Sequence, residues 1–265
     1  MQEQVMDNPR LYGEPPYSVA VVHGGPGAPG EMAPVATELS ALRGVIEPLQ
    51  TRATLAGQVE ELGELLAANG AAPFVLIGYS WGAILSFIFA SEYPSQVKKL
   101  VLVSSGVFSS TYARRIDRNR LSRLSARERA RMDELLLALN DPSVGDKDAL
   151  FAELGQLIEQ ADSYDPLPHQ NDAIAFQHDI FKAVWADAEE LRKDNRLLEM
   201  GGSITCPVVA IHGDFDPHPW QGIKEPLEEV LDDFRFVLLQ KCGHHPWYEK
   251  HAREEFYSAL EKELA

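Results

Sequence analysis

The sequence predicts an α/β protein: a mostly parallel central sheet with helices on both faces and one inserted helical segment. Three observations predict it. Short β-branched runs alternate with segments of helical period, the pattern of a parallel sheet covered on both sides. That alternation stops between Ser104 and about Gly202, where helical segments follow one another with no strand between them. The composition is ordinary for a globular chain, 265 residues at 45% hydrophobic and 24% charged, with length enough for a sizeable core.

The elements follow in order. Ser18–Val22 and Val45–Leu49 are the first two strands. Thr54–Asn69 sets Leu55, Val59, Leu62 and Leu66 on one helical face. Phe74–Ile77 is a strand, and Ala83–Glu92 is apolar nearly all round, as a helix buried against the centre of a sheet is. Leu65–Ser91 is an uncharged run of 27 residues, longer than the roughly 20 that span a bilayer. Pro73, Gly78 and Gly82 break it, and it is strand-like first and helix-like afterwards, so no membrane span is expected.

Leu100–Val103 is the next strand. The stretch from Ser104 to Gly202 is too long for a loop and reads as an inserted subdomain, with helices at Met132–Leu139, Ala149–Gln160 and Asp172–Lys193. Val208–Ile211 and Phe234–Leu239 resume the sheet. Trp247–Leu264 closes the chain as a helix with Phe256, Tyr257, Leu260 and Leu264 at helical spacing. The sheet domain is thus residues 1–106 and 203–265, and the helical insertion 107–202.

Charge and cysteines narrow the partners. With 24 Lys+Arg against 40 Asp+Glu the formal charge is −16, which argues against a nucleic-acid partner, because that work needs a basic face. Cys206 and Cys242 are too few for a disulfide framework and read as reduced thiols. The opening MQEQVMDNPR is polar and lacks an apolar signal core, so a cytoplasmic protein is expected. Residues 113–132 hold eight arginines against Asp117 and Glu128. They read as a solvated, salt-bridged helix face, with collection of an anionic substrate as the alternative.

Three stretches carry chemistry. Gly78-Tyr79-Ser80-Trp81-Gly82 has the form G-x-S-x-G, follows a strand and opens a helix. Small residues two before and two after the serine let strand and helix close on each other, leaving the hydroxyl strained and projecting above the sheet. A serine needs a base, and the base an orienting acid. Later strands supply both, running into His212-Gly213-Asp214-Phe215-Asp216-Pro217 and into Cys242-Gly243-His244-His245-Pro246-Trp247. On the residues alone, Asp214 competes with Asp216 and His245 with His244. A metal held by His212, Asp216 and His244 is the competing chemistry. It lacks a recognised ligand spacing and leaves the serine turn unexplained, so neither metal nor cofactor is expected. His23-Gly24-Gly25-Pro26-Gly27, directly after the first strand, is the third stretch. It assigns the N–H groups of Gly25 and Trp81 to an oxyanion, each such donor contributing a factor of roughly 10²–10³ in rate.

Together HGGPG, GYSWG, GDFDP and CGHHPW resemble the α/β-hydrolase superfamily, and the first two are most similar to its proline iminopeptidase branch. The resemblance covers roughly 17–106 and 203–265. It implies an eight-stranded sheet, a helical cap at 107–202, Asp216 as the acid and His244 as the base. The function it implies is a cofactor-free serine hydrolase that cleaves an ester or amide of a small molecule or short peptide through Ser80, His244 and Asp216. Esterase, lactonase or carbon–carbon hydrolase chemistry is the alternative, and a non-catalytic ligand-binding scaffold is the reading from another class.

Tyr79, Phe181 and Trp185 are the expected substrate contacts, with Phe176, Ile180 and Val184 as further candidates for the roof. The chain also departs from the branch. Only 17 residues precede Ser18, Gln50-Thr51-Arg52 replaces a Gly-rich loop, and Val184–Glu190 stands nearest to the iminopeptidase W-x-x-W-E segment. Asp187 is the acid expected there for a substrate's free amino group.

Overall fold

Seven strands among the described residues form one sheet: β1 (Arg10–Tyr12), β2 (Tyr17–Val22), β3 (Gly44–Glu47), β4 (Phe74–Tyr79), β5 (Val97–Val103), β6 (Val208–Gly213) and β7 (Phe234–Leu239). Their order is β1-β3-β2-β4-β5-β6-β7. β1 pairs antiparallel to β3, and every other neighbour is parallel. The structure is a computed structural model that describes residues 7–145, 147–170, 173–174 and 177–265.

Alternation along the strands builds a core on each face. Ala20 and Val22 of β2, with Leu76 of β4, pack on one side against α2 (Leu55–Asn69), α3 (Trp81–Glu92) and α9 (Gln221–Val230). Val19, Val21 and Ile77 face the other side, against α1 (Ala33–Leu39) and α10 (Arg253–Leu264). α3 is buried from Trp81 to Ser91 because it lies under β4 and β5. Thr54 starts α2 by accepting from the N–H of Gly57.

Between β5 and β6 stand α4 (Ser110–Arg123), α5 (Ala126–Asn140), α6 (Lys147–Asp162), α7 (His178–Lys193) and the short α8 (Arg196–Glu199). They carry a small core of their own, formed by Leu124, Met132, Leu135, Leu139, Leu154 and Ala161. Ser125 and Glu128 form a capping box at the start of α5. α7 instead turns Val184 and Ala188 into the main core, which seats the insert on the sheet.

Several expectations need correction. The sheet has seven strands among the described residues, and the leading one, β1, is three residues long. Among the described residues it is an edge strand beside β3, and three residues are too few for a legible period. The last helix begins at Arg253; Trp247–Ala252 is a run of turns, with Tyr248 N–H on the His245 carbonyl and Glu249 N–H on that of Pro246. α7 starts at His178, and Phe176 lies outside the described residues. The arginine-rich stretch is helical as read, forming α4 and the start of α5; its bounds are not set by the sequence pattern, because Ile116 is the one buried residue of α4, too little for a legible period. No described helix is long and apolar enough to cross a membrane.

Candidate active site

Ser80 sits in the turn from β4 to α3 at φ 51° and ψ −111°. That positive φ is unfavourable for a side-chain-bearing residue, and the surrounding contacts hold it. A Cβ on Gly78 would strike the Gly82 carbonyl, and one on Gly82 would strike the Val22 carbonyl. Only glycine at both places lets the helix start this close to the strands. Ser80 N–H donates to the Val103 carbonyl at 2.9 Å, tying the turn to β5.

The loops after β6 and β7 bring the other groups to the same rim. Oγ of Ser80 lies 3.0 Å from Nε2 of His244, and Nδ1 of His244 lies 2.7 Å from Oδ2 of Asp216. With Nδ1–H donated to the carboxylate, Nε2 is free to accept from the serine hydroxyl. Asp214 points elsewhere, accepting the Cys242 N–H at 3.1 Å and thereby bracing the His244 loop. His245 stands edge-on to His244, and its buried Nδ1 has no partner. Geometry thus selects Asp216 and His244 from the two ambiguous pairs.

Electrostatics follow from burial and this pairing. Burial alone would push Asp216 up, but His244, His212 and His218 outweigh it and hold the carboxyl well below the usual range. Burial pushes His244 down, and the Asp216 charge and hydrogen bond outweigh that, raising the imidazole above its ordinary value. Asp216, His218 and His244 also bring metal-capable atoms within 4.8 Å of one another. Nδ1 of each histidine and both oxygens of Asp216 are engaged in hydrogen bonds among the three.

The His23–Gly27 loop lies beside Ser80, with Gly25 at φ 26°. His23 accepts the Gln50 N–H at Nε2, 3.1 Å away. The proton therefore sits on Nδ1, which donates to the Gly24 carbonyl at 2.7 Å. Burial drives His23 down to about 4, so it stays neutral as it braces the loop. The bond to Nε2 uses the backbone of residue 50, and the side-chain Nε2 and Oε1 of Gln50 are buried without partners. Trp81 is the first residue of α3, where an N–H has no acceptor within the helix. Gly25, Trp81 and Ser80 all border one cavity of about 510 Å³.

Tyr79, Phe181 and Trp185 line that cavity as well. Ile180 and Val184 do not; they pack against the main core. Asp187 is also absent from the cavity, since its carboxylate accepts the Leu55 N–H at 3.1 Å and anchors the start of α2. The acids that do border it are Glu31, Asp117, Asp133, Glu159 and Asp162. Oε2 of Glu31 is buried without a hydrogen-bond partner, and burial raises this carboxyl to about 8.

The arginine stretch reaches inward as well as out: Arg120 makes two bonds to the buried Asp162, at 2.8 and 2.7 Å, and borders the cavity. Sequence reasoning missed His218, whose signal was a histidine two places after the favoured acid, and Glu31, which follows the HGGPG loop by four residues.

A family model described as the alpha/beta hydrolase fold matches residues 34–250. No curated protein sequence matches by direct comparison. Among solved structures the chain is similar to VinJ, at TM-score 0.70 and 18% identity, covering 97% of this chain and 93% of that one. It is similar to a proline iminopeptidase of Mycobacterium smegmatis at TM-score 0.62 and 20% identity, covering 97% and 93%. Est816, described as an N-acyl homoserine lactone degrading enzyme, aligns at TM-score 0.64 and 14% identity, covering 97% and 96%. At these identities the likeness is one of fold.

Proposed function

The chain belongs to the alpha/beta hydrolase fold family, and from that premise we propose that it is a serine hydrolase cleaving an ester or amide bond of a small molecule or short peptide. The observation that carries the reading is the unbroken hydrogen-bond chain from Ser80 Oγ through both nitrogens of His244 to Asp216. In this reading His244 takes the hydroxyl proton as Ser80 attacks the carbonyl carbon. Asp216 fixes the tautomer and offsets the charge that forms on the ring. The N–H groups of Gly25 and Trp81 hold the oxyanion. His244 then protonates the leaving alcohol or amine, and water releases the acyl group from Ser80 by the same path. Residues 107–202 serve as the cap over the site, and Tyr79, Phe181 and Trp185 as substrate contacts. The proposed setting is the cytoplasm, which the free thiols of Cys206 and Cys242 fit.

A fluorophosphonate probe tests this directly. The wild-type chain should be labelled and Ser80→Ala should not; full labelling of the variant refutes Ser80 as the nucleophile.

A second reading, iminopeptidase-like, takes its support from the acidic lining. Oε2 of Glu31 is partnerless with Glu159 near it, and a protonated amino group placed there would draw the raised carboxyl back to its charged form and pair with it. Proline arylamides, their N-acetylated forms and nitrophenyl esters separate the two. An amine requirement that Glu31→Gln weakens supports this reading, and equal turnover of acetylated substrates removes it.

A further inference from the structure

Asp216 serves two imidazoles. Its Oδ2 faces His244, while Oδ1 accepts both the backbone N–H of His218 at 2.8 Å and the Nδ1–H of the same residue at 2.9 Å. The two rings lie nearly parallel, 4.6 Å between centroids and 23° apart. His218 is 6% exposed and borders the cavity. Its own carbonyl lies 2.9 Å from Nε2 of His212, and the preceding Pro217 carbonyl accepts from Asn119 of α4. The backbone that carries the ring is therefore held at two successive carbonyls.

We propose that His218 is a positioning residue: it pins Oδ1 so that Oδ2 is turned to His244, and its ring backs the His244 ring while that ring gains and loses the serine proton. This rests on the serine hydrolase reading. One carboxylate offsets one imidazolium, and a second positive ring stacked on the first would oppose it. Burial keeps His218 neutral, down to about 4, so His244 alone takes the proton. The other charged or titratable groups around His244 are Arg120 and Asp162 of the insert, which pair with each other, then Glu31, Tyr79, His212 and His245.

The test uses the rate of fluorophosphonate labelling against pH, which needs no known substrate. His218→Phe keeps a flat ring but deletes the Nδ1–H; His218→Asn keeps an N–H within reach of Oδ1. With Phe, labelling should slow by about tenfold, in line with one lost hydrogen bond to a charged group. Its acid limb should also move to lower pH, because a misaligned Asp216 supports the His244 proton less. With Asn, the midpoint should stay near wild type, and the rate should fall less than with Phe, because the bond to Oδ1 is kept and only the backing ring is lost. Thermal melts establish that each variant folds, and His218→Ala takes the place of Phe if Phe does not. A Phe or Ala variant that labels at the wild-type rate, or one that slows with its midpoint unmoved, overturns the proposal. An unlabelled wild type overturns the serine reading itself, which is a separate result.

Discussion

The main-chain N–H of His244 donates to the carbonyl of Asp162 at 2.9 Å, so the last residue of α6 holds the loop that carries the imidazole. Glu249 completes the joint. Its carboxylate, 1% exposed, accepts the N–H groups of Gly243, Tyr164 and Asp165 at 2.9, 2.7 and 2.9 Å. The helical insert and the His244 loop are thus bonded as one piece. Shifting the insert shifts the His244 ring.

Glu249→Ala leaves those three N–H groups without an acceptor. The Gly243 N–H is buried, and such an orphan costs about 1–3 kcal/mol, while those of Tyr164 and Asp165 are partly reached by water, so urea unfolding should show a loss of about 2 kcal/mol. Fluorophosphonate labelling should slow at the same time, since the His244 loop loses its tether. A variant as stable and as reactive as wild type would show that the joint holds nothing.

Arg120 and Asp162 form a bidentate pair whose acid is 1% exposed. Arg120→Ala strands a buried carboxylate and should cost about 3 kcal/mol, the lower end for breaking a buried pair because the arginine is partly reached by water. Replacing both residues with leucine should cost less than the single change. Urea midpoints for Arg120→Leu, Asp162→Leu and the double decide it. A purely additive double would mean that the two charges are not coupled.

The fold was legible where one residue type forces one conformation. Gly78, Ser80 and Gly82 identify the strained turn because nothing larger fits between β4, α3 and β2. α4 was legible only as a polar helix face without ends, since Ile116 alone gives no period. Asp187 misled because an acid in an insert can equally cap a helix, as it does for Leu55. His218 was invisible because its role depends on the stacking of two loops that are distant in sequence, and no local pattern encodes which ring lies on which.

Buried neutral imidazoles should make the protein acid-sensitive. Burial drives His23 and His218 to about 4 and His245 to about 3, from an ordinary 6.5. Between those values and 6.5 the unfolded chain binds more protons than the folded one. Their contribution is therefore complete above 6.5 and is lost as pH falls through that window. His244 has the opposite sign, because its raised value favours the folded state below 6.5 and that gain disappears as pH rises through the raised value. Asp216 contributes above the ordinary carboxylate value and only loses that contribution under strong acid. One imidazole moved this far corresponds to about 3 kcal/mol at pH 4. Urea midpoints should thus drop from pH 6.5 to 4. His245→Phe, which removes a ring whose buried Nδ1 has no partner, should flatten the drop. An identical slope in that variant would rule out His245 as a contributor.

Trp185 lines the cavity, and it is the proposed limit on how long a substrate enters. Its ring lies edge-on to Trp81 at 5.8 Å and parallel to Phe181 at 6.2 Å and 10°, so it forms wall, not floor. Neither ring bonds to Ser80 or His244, and contacts on the wall bind ground state and transition state alike. Removing such a contact raises KM and leaves kcat in place. Trp185→Ala should therefore raise KM about tenfold for nitrophenyl esters of short acids, with little change in kcat. Longer acyl chains should lose less, because they refill the vacated space. Equal losses across chain lengths, or a fall confined to kcat, would place Trp185 outside substrate selection and leave it as part of the packing of α7 on α3.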